Sequence, residues 1–256
     1  MRWSNAFPLK CDSKKRLFNS RLPPDAALGY TWAMTWNIPN ILTLLRLLAA
    51  PGVAIMFLYF QRPWADWFAL ILFVVAALTD WIDGYLARAW KQESKFGAML
   101  DPIADKAMVI IALLVITGFS GMNPWVLLPS TLIMFREVFV SGLREFLGDT
   151  AGLLKVTNLA KWKTTAQMTA IAVLFATGLF QHEFLDRTSG MDNETLNAIM
   201  SGASEDPLGL TWFAGAANAT FKIGVVLLWA AALLTLITGG DYLRKAMPFL
   251  REENKK

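Results

Sequence analysis

The sequence has little charge and almost no soft metal ligands. Charged residues make up 17% of its 256 residues, against about 25% in a typical soluble domain. The single cysteine, Cys11, excludes an intrachain disulfide and any cysteine-based metal cluster. The only histidine, His182, is expected in a loop, so a His/Cys metal site, a Ser-His-Asp triad and a Cys-His pair are nearly excluded. Any chemistry must therefore come from carboxylates, lysines, arginines and hydroxyls.

Long apolar runs dominate the remaining sequence, which has a hydrophobic content of 55% and a mean hydropathy of +0.41. Runs of this length are typical of membrane-spanning helices. The net charge of +4 fits an excess of Lys and Arg in cytoplasmic loops better than nucleic-acid binding. We therefore predict an all-α polytopic membrane protein with six transmembrane helices, at about residues 39–60, 67–88, 98–119, 124–146, 163–180 and 221–239.

The polar stretches divide the chain around this membrane domain. Residues 1–36 are predicted to form a cytoplasmic basic arm ending in an interfacial, amphipathic segment, and residues 244–256 a cytoplasmic basic tail. The six-helix domain spans residues 37–243 and carries an acidic, Gly-rich extracytoplasmic insert at 181–217, with a short helix at Asn193–Met200. Most Lys and Arg residues then lie on one side, which predicts that both termini are cytoplasmic.

Four aspartates lie where the second and third predicted spans meet a short charged hinge. Asp80 and Asp83 are three residues apart, and Asp101 and Asp105 are four apart, so each pair shares one helix face. Antiparallel neighbouring helices would bring the pairs together near the inner interface. Because clustered carboxylates repel one another in a low dielectric, divalent cations are the usual remedy. All-oxygen ligation favours Mg²⁺, Mn²⁺ or Ca²⁺.

The residues beside these aspartates fit a phosphorylated ligand. Gly84 and Ala87 are small enough to let such a ligand approach the helix backbone, and Arg88 supplies a fork for a phosphate. Two close metal ions are a common device for displacement at phosphorus. The residues alone therefore indicate metal-dependent chemistry on a phosphorylated, lipid-linked substrate.

Two alternatives remain open at this point. The aspartates could be structural partners of Arg46, Lys106 or Arg136, which are themselves charged residues in apolar segments. They could also line the ion pathway of a transporter.

The spacing of these residues resembles the signature of the CDP-alcohol phosphotransferase family. Three further segments, 37–51, 135–147 and 161–172, resemble family members that use glycerol 3-phosphate as acceptor, and about residues 37–182 are covered. The basic arm and the 181–217 insert depart from the family pattern. The matching pattern is Asp80-x2-Asp83-Gly84-x2-Ala87-Arg88-x8-Gly97-x3-Asp101-x3-Asp105.

The resemblance implies a role for each residue of the pattern. Two divalent metal ions, Mg²⁺ or Mn²⁺, would be held by Asp80, Asp83, Asp101 and Asp105. Asp105 would also be the general base that takes the proton of the acceptor hydroxyl. The CDP-lipid would be held by Gly84, Ala87 and Arg88, with Asn40 and Thr43 contributing from the first span. A helix cap and an intrahelical bond are the structural alternative for Asn40 and Thr43.

The resemblance also implies the acceptor and the setting of the enzyme. A phosphate dianion needs cations near the inner interface, and Arg136, Arg144, Lys161 and Lys163 are the candidates, with Glu137 orienting Arg136. Lys161 and Lys163 fit equally well as residues that set membrane topology. The implied substrates are CDP-diacylglycerol and sn-glycerol 3-phosphate. The alternative within the same family is another acceptor, namely inositol phosphate, serine or phosphatidylglycerol. The implied setting is the inner membrane of a bacterium, among membrane lipids, as a homodimer without nucleic acid.

Overall fold

A computed structural model describes residues 38–90, 95–148 and 159–252. These ranges contain helices and no strand, so the all-α prediction is confirmed for the part described. The predicted basic arm at 1–36 lies outside the described residues. The helices are α1 (Ile38–Tyr59), α2 (Trp64–Trp90), α3 (Lys95–Phe119), α4 (Pro124–Leu147), α5 (Leu159–Thr188), α6 (Asn193–Met200) and α7 (Leu210–Glu252).

Four of these helices are long and apolar enough to cross a membrane: Asn40–Tyr59, Pro124–Leu147, Trp162–Thr188 and Leu210–Leu250. A shorter apolar stretch, Trp64–Thr79, lies in α2. Many large apolar side chains are exposed on the outer surfaces, such as Leu58 at 76%. A surface of this kind suits lipid and would be unfavourable in water. The chain is a membrane protein.

The turn between α3 and α4 shows how the sequence ends one helix and starts the next. Gly121 and Met122 have positive φ angles of 64° and 58°, a conformation that glycine adopts readily. The Asn123 side chain then accepts a hydrogen bond from the backbone N–H of Trp125 at 3.0 Å. Pro124 follows at the first helical position, where its missing N–H costs nothing. α4 therefore begins where the sequence predicts.

The insert contains the short helix that was predicted at Asn193–Met200. Its N-cap, Asp192, accepts a hydrogen bond from the backbone N–H of Thr195 at 2.9 Å. This backbone bond, together with a second bond from the Thr195 hydroxyl, holds the pKa of the Asp192 carboxyl below its usual value. Local capping thus accounts for where this helix begins.

Two predictions at the ends of the insert were wrong. His182 lies within α5, which continues to Thr188, and not in a loop. The last helix runs from Leu210 to Glu252 instead of 221–239. It starts early because the Asp206 carboxylate accepts hydrogen bonds from the backbone N–H groups of Leu210 and Thr211, each at 2.8 Å.

The helix α7 also continues past the point where its apolar run stops. Gly239, Gly240 and Asp241 look like the end of a span in the sequence, but they are helical. Beyond them, Tyr242 and Ala246 are buried against the end of α4. This packing supplies the stabilisation that the local sequence lacks.

The helices pack so that one end of the bundle collects the polar residues. α1 packs against α2 and α3, α5 packs against α7, and α4 packs against α7. Close approach of α5 and α7 depends on Gly224, where a Cβ would lie 2.7 Å from the side chain of Leu174. The beginnings of α3 and α5 and the ends of α4 and α7 then meet around a polar cavity.

Candidate active site

A polar stripe on α1 faces the aspartates of α3. Asn40, Thr43 and Arg46 recur every three residues and are 6%, 2% and 3% exposed. The Thr43 hydroxyl donates a hydrogen bond to Asp101 Oδ1 at 2.6 Å, and Arg46 Nη1 donates to Asp105 Oδ1 at 2.9 Å. The Thr43 hydroxyl therefore donates a hydrogen bond to a different helix, whereas the structural alternative was a bond within α1. Arg46 has the acidic partner that a buried guanidinium requires.

Asp101 and Asp105 line a cavity of about 410 Å³ between α3, α4, α5 and α7. This volume suits a small polar molecule. Five basic side chains line the same cavity, and three of them are predicted acceptor residues. These cations are Lys106, Arg136, Arg144, Lys163 and Lys245.

Glu137 joins two of the predicted cations. Arg136 Nη1 donates to Glu137 Oε1 at 3.3 Å, and the Lys163 ammonium donates to the same oxygen. Lys163 is 8% exposed, so its charge is removed from bulk water and depends on this carboxylate. The expected contact between Glu137 and Arg136 is present, and Lys163 is a second partner that the sequence analysis did not anticipate.

Arg144 and Lys161 differ in how far the structure describes them. The Arg144 guanidinium lies 5.6 Å from the ring centroid of Tyr242, a distance suited to a cation–π contact. Lys161 lies in the first turn of α5, but its side chain is outside the described part.

The cavity wall formed by α7 was missed by the sequence analysis. Thr238, Asp241, Tyr242 and Lys245 all line the cavity, and Lys245 Nζ donates to Asp241 Oδ2 at 2.6 Å. A separation of four residues between Asp241 and Lys245 is a signal of one helix face. That signal could have been used if the helix had been extended past residue 239.

The remaining signature residues lie on α2, which continues to Trp90. They are Asp80, Asp83, Gly84, Ala87 and Arg88, and their side chains are outside the described part. Gly97 is buried in the first turn of α3. The structure therefore brings Asp101 and Asp105 to one cavity and leaves the convergence of all four aspartates as a prediction.

The donor chemistry of this cavity fits hard divalent cations. Asp101 and Asp105 present carboxylate oxygens to the cavity, and oxygen donors are what Mg²⁺ and Mn²⁺ prefer. Among the side chains that are described, no group of three or more His, Cys, Asp and Glu is close enough to hold a metal ion. A complete site would therefore need ligands from the undescribed side chains of α2.

Comparison with known sequences identifies the family. The sequence model of the CDP-alcohol phosphatidyltransferases matches residues 36–237. The chain belongs to this family. Its members are enzymes, and they are generally metal-dependent.

Similar proteins within the CDP-alcohol phosphatidyltransferase family share one name. A protein of Cereibacter sphaeroides is 66% identical over 221 residues, which cover 86% of this chain and 100% of the relative. Proteins of Salmonella choleraesuis and Escherichia coli K12 are 42% and 43% identical over 143 residues, covering 55% of this chain and 78% of each relative. All three are named CDP-diacylglycerol–glycerol-3-phosphate 3-phosphatidyltransferase.

Proposed function

We propose that this chain transfers the phosphatidyl group of CDP-diacylglycerol to sn-glycerol 3-phosphate, forming phosphatidylglycerophosphate and releasing CMP. The observation that carries the proposal is a single cavity that joins Asp101 and Asp105 to Arg136, Arg144 and Lys163. Carboxylates suit metal-assisted phosphoryl chemistry, and cations suit a phosphorylated acceptor. The name of the relatives supports the same pair of substrates.

The donor lipid is assigned to the α1 and α2 side of the site. Gly84, Ala87 and Arg88 would hold the CDP group, with Asn40 and Thr43 contributing from α1. Thr43 is well placed to couple the two halves, because its hydroxyl already donates to Asp101 at 2.6 Å.

Asp80, Asp83, Asp101 and Asp105 would hold two divalent ions, Mg²⁺ or Mn²⁺. When bound, such ions neutralise the negative charge of a diphosphate and of its leaving group. Of these aspartates, Asp101 and Asp105 line the described cavity.

Asp105 is assigned the role of general base for the acceptor. Its carboxylate would take the proton of the acceptor hydroxyl as that oxygen bonds to the phosphorus carrying diacylglycerol. The bond between this phosphorus and the CMP oxygen breaks, and CMP leaves with the electron pair. Arg46, which donates to Asp105 Oδ1 at 2.9 Å, would keep the carboxylate oriented for this transfer.

The phosphate of the acceptor would be bound by Arg136, Arg144, Lys161 and Lys163. Arg136 is the principal candidate, because a planar guanidinium can bind a phosphate through two parallel hydrogen bonds. Glu137 keeps Arg136 and Lys163 close together without neutralising both of them.

The proposed setting is the inner membrane of a bacterium. The chain would cross it six times, with the membrane domain at 37–243, the 181–217 insert outside, and the basic segments 1–36 and 244–256 in the cytoplasm. The positive-inside rule supports this orientation, because most of the 24 Lys and Arg residues fall in the inner segments. The enzyme is proposed to act as a homodimer, with the lipid entering from the inner leaflet.

The test is a CMP-release assay on purified protein with CDP-diacylglycerol and Mg²⁺ or Mn²⁺. Labelled glycerol 3-phosphate should give a labelled lipid, and inositol phosphate, serine and phosphatidylglycerol should give little or none. Faster turnover with one of those acceptors would overturn the acceptor assignment. Ion flux into vesicles without CMP release would favour a transporter and would overturn the proposal as a whole.

A further inference from the structure

The side chain of Arg136 packs against α7 at Thr238 and Gly239. It is 13% exposed, and its Nη2 donates a hydrogen bond to the Thr238 hydroxyl at 3.2 Å. The neighbouring Nη1 donates to Glu137 Oε1 at 3.3 Å. The guanidinium is therefore held by α7 on one side and by its own helix on the other.

The stem of Arg136 occupies the space that a side chain at position 239 would need. A Cβ on Gly239 would lie 2.9 Å from Arg136 Cγ and 3.1 Å from its Nε. The closest atom, Cγ, is near the backbone of α4, so it cannot swing aside as the end of a flexible side chain could. The adjacent Gly240 is different, because a Cβ there would meet nothing within 4 Å.

We propose that Gly239 is a positioning residue for the acceptor phosphate. The missing side chain lets Arg136 lie flat against α7, and Thr238 then fixes the orientation of its guanidinium in the cavity. This inference rests on the proposed function, in which Arg136 binds the phosphate of glycerol 3-phosphate.

A change at Gly239 should affect the binding of glycerol 3-phosphate and not that of CDP-diacylglycerol. A guanidinium that is already oriented loses little conformational freedom when it binds phosphate. Displacing it should weaken binding of glycerol 3-phosphate, whereas CDP-diacylglycerol is assigned to residues of α1 and α2. Gly239 thus acts through Arg136 and does not touch either substrate.

The central experiment compares Gly239→Ala with Gly240→Ala. Both add one methyl group to adjacent positions of the same helix, so their effects on helix propensity are matched. Gly239→Ala should raise KM for glycerol 3-phosphate by about tenfold, the effect expected when hydrogen bonds to a charged group are lost. KM for CDP-diacylglycerol should change less than about twofold, and Gly240→Ala should leave both values near those of the parent chain.

A second comparison separates positioning from general damage. In an Arg136→Ala background, adding Gly239→Ala should have no further effect on KM, because the residue it acts through is gone. Equal increases in KM for both substrates, additive effects in the double variant, or the same effect from Gly240→Ala would each overturn the inference.

If Gly239→Ala does not fold, Thr238 offers an independent route to the same question. Thr238→Val removes the hydroxyl that accepts from Arg136, and it should raise KM for glycerol 3-phosphate several-fold. Thr235→Val is the control, because the buried Thr235 hydroxyl has no hydrogen-bond partner within the described part of the chain. Equal effects of the two variants would overturn the inference.

These outcomes can be told apart from failure of the proposed function. A parent chain that releases no CMP with glycerol 3-phosphate would overturn both statements. An active parent chain with an unaffected Gly239→Ala variant would overturn the role of Gly239 alone.

Discussion

The two ends of the helical bundle both bury charged side chains, but they arrange them differently. At one end, the Asp105 cavity contains basic groups from α3, α4, α5 and α7. At the other, a cavity of about 320 Å³ is lined by Arg62 and Asp66, which are four residues apart and form an ion pair at 3.3 Å. Phe119 lies against this arginine, with 4.7 Å between the guanidinium and the ring centroid.

The difference between the two cavities indicates their roles. Arg62 and Asp66 balance each other locally, and Gly178 packs so closely that a Cβ there would lie 2.5 Å from Asp66 Oδ1. The Asp105 cavity instead takes its charges from helices far apart in the chain, and its cations leave capacity for an anionic ligand. We therefore expect changes at the Asp105 end to affect kinetics and changes at the Arg62 end to affect stability.

The largest expected effect is that of Asp105→Asn. Loss of a general base should lower the rate of CMP release by about 10²- to 10⁴-fold, while CDP-lipid binding is largely kept. Asp66→Asn is the control, since it makes the same chemical change to the acid at the other end. A variant at position 105 that retains more than a tenth of the parent rate would remove the general-base role.

Arg136→Ala should have the next largest effect. It should raise KM for glycerol 3-phosphate by about 10- to 100-fold, because charge-assisted hydrogen bonds are lost, and it should affect CDP-diacylglycerol much less. Steady-state kinetics with each substrate varied in turn measure this difference. Arg187→Ala, at the other end of the bundle, should leave both KM values unchanged. Equal losses for both substrates in Arg136→Ala would contradict the assigned role.

Asp66→Asn should act on stability and not on turnover. It leaves Arg62 without its charge partner, which should lower the free energy of unfolding by about 2 kcal/mol, less than for a fully buried pair because Arg62 is partly exposed. Unfolding of the detergent-solubilised protein measures the loss. Asp186→Asn on the exposed end of α5 is the control and should have little effect. If Asp66→Asn has normal stability but reduced turnover, the Arg62 end affects catalysis, and the expected difference between the two ends is wrong.

Gly178→Ala should have the smallest effect. The added methyl group would press on the Asp66 carboxylate, and we expect a loss of about 1 kcal/mol, at the low end for overpacking. Gly118→Ala, where a Cβ would meet nothing within 4 Å, should not be destabilising. If the two variants unfold alike, the close contact at Gly178 is not a source of stability.

The sequence predicted most helix positions because apolar runs and local caps decide them. The end of α1, the turn before α4 and the short helix α6 all follow from signals within a few residues. The last helix was predicted too short because its ends do not coincide with the ends of its apolar run. The Asp206 cap was not used, and the burial of Tyr242 and Ala246 against α4 cannot be seen in a local pattern.

The same division applies to the candidate site. The periodic stripe on α1 and the unusual charge at Arg136 could be read from spacing and from the cost of burying charge. Arg136 and Thr238 are 102 residues apart in the sequence, so the periodicity of apolar residues within one helix cannot predict their contact. The role of Gly239 is harder still to predict from the sequence. A glycine in an apolar helix does not indicate which side chain of a neighbouring helix packs against it.

The length of α7 has a consequence for how two very different substrates reach one site. Its 43 residues extend about 65 Å, whereas the hydrocarbon layer of a bilayer is about 30 Å thick. Even when tilted, this helix must emerge into the polar zone, where its wall of Asp241, Tyr242 and Lys245 borders the cavity. One helix thus runs from the hydrocarbon layer to the water, and we expect a hydrophilic acceptor to reach the cavity along its aqueous segment without entering the hydrocarbon layer.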